Sequence, residues 1–65
     1  MSNPSDLAEL STIGSQIAEL TARVVKVAER YEKTPDSAIA GDLFGAERFL
    51  VNAQRALDRA SASLA

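Results

Sequence analysis

The chain contains no cysteine, no histidine and no tryptophan. Without cysteine no disulfide can staple the fold. Without histidine or a thiolate, the common metal clips and the usual nucleophile–base pairs of catalysis are missing. A carboxylate-only site for calcium or magnesium wants a dense acidic loop, and none is present. Gly14, Gly41 and Gly45 make no phosphate-binding loop, because no strand precedes them. The nearest approach to the Glu-x-x-His motif of di-metal bundles is Glu29-Arg30-Tyr31-Glu32, which lacks the histidine.

Long apolar runs are also lacking: none approaches the roughly 20 residues that span a bilayer. Met1-Ser2-Asn3-Pro4-Ser5-Asp6 has neither the basic nor the apolar region of a secretory signal. Charge of one sign is missing too. Seven basic and nine acidic residues are interspersed, with a formal net charge of −2, which gives no strong footprint for nucleic acid or an anionic membrane. These absences lead to the expectation of a cytoplasmic, non-enzymatic protein with no cofactor, no metal and no membrane partner.

What the chain does have is apolar content and regular spacing. Hydrophobic residues make up 46% of 65 residues, an ordinary globular share that argues against wholesale disorder. The length allows a single domain, 1–65, at the lower edge of what folds alone. Such a domain without staples gains its stability from idealised helix packing or from self-association.

Two stretches carry the signature of a helix start. Asn3-Pro4-Ser5-Asp6 and Thr34-Pro35-Asp36-Ser37 each place a capping side chain before a proline and an acid in the first turn. Thr34, preceding a proline, resists the α conformation and marks the break. The spacing predicts an all-α antiparallel two-helix hairpin, with helices over about 4–33 and 35–64, each about 45 Å long.

Between the caps the apolar residues alternate at intervals of three and four. In the first helix the row is Leu10, Ile13, Ile17, Leu20, Val24, Val27 and Tyr31. In the second it is Ile39, Leu43, Ala46, Leu50, Ala53, Leu57, Ala60 and Leu64. An unbroken alternation of this kind is the seam of a left-handed helix pair. A row of small residues, Gly14, Thr21 and Ala28, lies beside the first seam. Folding at Thr34 makes the numbers of facing residues sum to about 67, whereas a one-heptad slip to about 74 needs a longer loop. The Thr-Pro break favours the shorter one.

The apolar arc is wider than two helices need. Leu7, Ala18 and Val25 broaden it on the first helix, and Phe49 and Ala56 on the second. A lone hairpin leaves half of each seam open, so the chain is expected to dimerise into a four-helix bundle. Leu10, Ile13, Ile17, Leu20, Val24, Val27, Tyr31, Leu43, Phe49, Leu50 and Leu57 are the expected core and dimer residues. At Tyr31 the ring packs near the hairpin tip while the hydroxyl reaches water.

Phe44 and Val51 fall away from that seam, beside Arg48 and Arg55. Either Phe44 and Val51 are isolated exposed apolar residues of the ordinary kind, or these four form a contact strip for a larger protein partner. An aromatic anchor among arginines is the composition of an interface centre, so the contact strip is the expectation. Gly41 and Gly45 either let another backbone approach there or simply weaken the first turn.

The functional expectation is a structural or interaction protein, an adaptor or accessory subunit that associates with itself and with that partner. The alternative is a small regulator binding nucleic acid or a small ligand on the dimer surface. Arg48, Arg55 and Arg59, with Arg23, Lys26, Arg30 and Lys33, supply the basic groups for it. Interleaved Glu29, Glu32 and Asp58 and the few aromatics argue for a solvated face instead.

Overall fold

A computed structural model describes residues 4–65 as two helices folded against each other. α1 spans Pro4–Tyr31 and α2 spans Ser37–Leu64, 28 residues each. Each is therefore about 42 Å long at about 1.5 Å per residue. Pro4 opens α1, as its missing amide and fixed φ favour. The Asn3 cap expected before it lies outside the described residues.

The turn, 32–36, is built differently from the expected cap. Thr34 does not open α2; it closes α1. Its amide and its hydroxyl both donate to the Tyr31 carbonyl, at 3.2 and 2.8 Å. The same hydroxyl oxygen accepts from the Asp36 amide at 3.2 Å, a short-range turn of the kind threonine hydroxyls make. Pro35 then blocks any continuation of the helix. Asp36 stands at the N-cap with no side-chain cap bond, and its carbonyl accepts from the Ile39 amide at 2.9 Å. The helices consequently end at Tyr31 and begin at Ser37, two residues inside the expected limits on either side of the turn.

The register is the one expected of the shorter loop. Gly14 faces Gln54: a β-carbon placed on Gly14 would lie 2.8 Å from Gln54 Nε2, and the two numbers sum to 68. The same register sets Thr21 level with Glu47 and Ala28 level with Ala40. Those two alanines are the buried apolar core, at 0% and 3% exposure.

The contact line differs from the row of largest side chains. On α1 the fully buried positions are Gly14 and Ala28, with Leu7, Leu10, Ile17, Thr21, Val24, Val25 and Tyr31 half-buried around them. On α2 the line runs through Ala40, Leu43, Glu47, Leu50, Gln54, Leu57, Ser61 and Leu64. Both helices have turned so that the small row of α1 is central. Two seams with identical three-four spacing share Leu10, Ile17, Val24 and Tyr31. Spacing cannot separate them, but distance of approach can: helices close in where glycine and alanine let the backbones draw together. Thr21 tolerates the seam because its hydroxyl donates to the Ile17 carbonyl at 2.7 Å, inside its own helix.

The result is a rod with extents of 53 × 14 × 9 Å and a Cα radius of gyration of 15.2 Å, against about 11 Å for a compact 65-residue globule. Among the described residues, no side chain larger than alanine is fully buried.

Candidate interaction surface

With both helices in contact along one line, the hairpin has two flanks of different make. The first is fixed by a groove lined by Leu20, Arg23, Val24, Val27 and Leu43. Heptad spacing places Ile13 in line with Leu20 and Val27 on α1. On α2, next to Leu43, it places Ile39, Ala46 and Ala53, with Phe49 just outside them. The three large apolar residues that stand exposed, Leu20 at 45%, Ile39 at 43% and Phe49 at 78%, all belong to this flank. Leu20 and Phe49 sit at nearly the same level, their numbers summing to 69, close to mid-length.

The second flank is fixed by a groove lined by Ala18, Thr21, Val51, Gln54 and Arg55. Phe44 and Val51 lie on this side, half-buried, with Arg48 and Arg55 exposed. Small residues of α1 meet long polar residues of α2 here. Gln54 Nε2 donates to Asp58 Oδ1 at 3.5 Å, while its Oε1 is buried without a partner. The Arg48 side chain lies back over Gly45, its Nη2 3.7 Å from where a β-carbon would be; at Gly41 such an atom would meet nothing within 4 Å.

The residues expected from the sequence are thus divided between three places. Leu10, Ile17, Val24, Tyr31, Leu43, Leu50 and Leu57 are half-buried along the helix–helix line. Ile13 and Val27, also half-buried, and the exposed Leu20 and Phe49 look onto the first flank. Phe44, Arg48, Val51 and Arg55 are gathered on the second, but the two apolar members are half-buried rather than fully open to solvent. Gly14, Ala28 and Ala40 matter most to the packing and carry no hydrophobic signal large enough to single them out.

Charge follows a simple order. The first half of α1 carries Asp6 and Glu9 and no basic residue; the second half carries Arg23, Lys26 and Arg30 against Glu19 and Glu29. α2 repeats it more weakly, with Asp42 and Glu47 against Arg48 early, then Arg55 and Arg59 against Asp58 late. Acid at the start and base at the end of a helix complement its dipole. Set antiparallel, each helix also lays its acidic half beside its neighbour's basic half.

Among the described residues, no group of three or more potential ligands gathers as a metal site, and no helix is long and apolar enough to cross a membrane. No family model, curated protein or solved structure matches the chain.

Proposed function

We propose that this protein is a small non-catalytic interaction module that works as a homodimeric four-helix bundle and docks onto a larger protein. The observation that carries the reading is the absence, among the described residues, of any fully buried side chain larger than alanine, beside an open row of large aliphatic and aromatic residues. A single hairpin withdraws too little apolar surface from water to offset the entropy of ordering its chain. Association is the remaining source of burial, since neither disulfide nor histidine-bound metal is available to this sequence. The contact for the larger protein is the second flank, where Arg48 and Arg55 stand free beside Phe44 and Val51.

Sedimentation equilibrium at micromolar concentration tests the self-association. A dimer whose melting temperature rises with concentration supports it, and a monomer that melts cooperatively and independently of concentration overturns it. For the larger partner, Arg48→Glu with Arg55→Glu should remove that partner from material cross-linked in the native source and leave the dimer intact. Retention of the same partner would exclude this flank.

A further inference from the structure

We infer that a second copy of this chain covers the first flank, the one that carries Leu20, Ile39 and Phe49. The inference rests on the self-association proposed above and adds which surface makes it. Four features point to this flank and to this occupant.

Among the described residues, every exposed large apolar one lies there and none on the opposite side. The amount of surface agrees as well. The chain exposes 4791 Å², whereas a compact protein of 6.9 kDa exposes about 4,000 Å². The excess, about 800 Å², is what each partner loses in an interface of standard size.

The flank is also complementary to itself. Over the middle of the flank α1 contributes the large row Ile13, Leu20 and Val27, and α2 the small pair Ala46 and Ala53, with Ile39 preceding them in the same row and Phe49 outside it. A twofold rotation of a second hairpin brings a large and a small row to each side of the joint, and such alternation lets layers fill without voids. Finally, every helix runs from acidic to basic, so a partner whose helices lie antiparallel to their new neighbours sets unlike charges side by side. An unrelated apolar ligand or a lipid surface would have no use for that order.

The test uses the full chain and four variants. Leu20→Glu and Phe49→Glu, each placing a charge in the joint, should weaken the dimer by about 100-fold or more, the loss expected at the centre of an interface. Arg55→Glu, on the opposite flank, should leave the dimerisation constant within about twofold, as surface changes away from an interface do. Because a glutamate variant could fail by misfolding, Phe49→Trp supplies an independent reading at a position that is 78% exposed in the single hairpin. It introduces the sole indole of the chain. Its emission should shift to the blue, and its iodide quenching fall, as concentration passes through the dimerisation range.

An indole that stays solvated in a sedimenting dimer, or a dimer that survives both glutamates, overturns the choice of flank while leaving self-association standing. A wild-type chain that stays monomeric overturns both.

Discussion

The two flanks of this hairpin start from the same helices and end with opposite characters. On the second flank, Gly14 of α1 faces Gln54 of α2, Ala18 and Thr21 line a groove with Val51, Gln54 and Arg55, and Phe44 and Val51 are half-buried. On the first, large apolar side chains stand out from both helices with nothing of the same chain over them. The difference teaches how an amphipathic arc wider than one partner divides its labour. Small residues decide where two backbones come together, because close approach multiplies dispersion contacts along the whole line. Large residues left over decide where a further layer is wanted.

The substitution expected to do most damage strikes the close-approach side. Ala28 has 0% exposure, level with Ala40 at 3%. Leucine there has no room unless the helices separate. Ala28→Leu should cost about 1–3 kcal/mol through overpacking, lowering the midpoint by roughly 4–8 °C per kcal/mol for a domain of this size. Thermal melting followed by circular dichroism reads it. An unchanged or higher midpoint would mean that the helices are not held together at this point.

A sharper contrast comes from the two phenylalanines. Phe44 is half-buried within the hairpin and Phe49 is 78% exposed. Phe44→Ala should cost about 0.75–1.5 kcal/mol, half the value of a fully buried side chain, at any protein concentration. Phe49→Ala should be close to neutral in dilute solution and grow costly as concentration rises, because its burial depends on association. If both variants respond alike to dilution, the flanks do not differ as described.

These cases show what could be read from residues alone. Two helices, their hairpin arrangement and the register near 67 followed from three-four spacing and from the single proline in the middle. Spacing does not distinguish two seams that share Leu10, Ile17, Val24 and Tyr31, and side-chain size favours the one with the larger residues, while the helices meet on Gly14 and Ala28. Phe44 was set apart by its angle from the larger seam, and once both helices turned, that angle brought it to the hairpin's own edge. The turn was mistaken in a similar way. Threonine before proline reads as the start of a helix, yet the Thr34 hydroxyl serves the end of the previous one. Sequence names the groups that can bond, and only the backbone path decides which end they reach.

The turn supplies the next test. Thr34→Val keeps the shape but removes the hydroxyl that donates to the Tyr31 carbonyl and accepts from the Asp36 amide. A loss of about 0.5–1.5 kcal/mol is expected, measured by urea unfolding. No loss would assign the break to Pro35 alone, whose ring ends the helix without help.

The smallest effects separate two glycines that look alike in sequence. Both lie inside helices, where glycine costs about 0.5–1 kcal/mol relative to alanine. At Gly41 a β-carbon meets nothing within 4 Å, so Gly41→Ala should stabilise the protein by that amount. At Gly14 the same atom would lie 2.8 Å from Gln54 Nε2, nearer than any real contact. The glutamine must swing away, and its Nε2 gives up a long bond to Asp58 at 3.5 Å. Gain and loss then nearly cancel, and Gly14→Ala should fall within about 0.5 kcal/mol of the parent, the usual span of minor substitutions. A double-mutant cycle with Gln54→Ala isolates the cause. Once the amide is gone, Gly14→Ala should recover the full benefit seen at Gly41. If it does not, the close face is tight in its backbone rather than at one side-chain tip, and the second flank is less forgiving than the first in a deeper sense than its residues suggest.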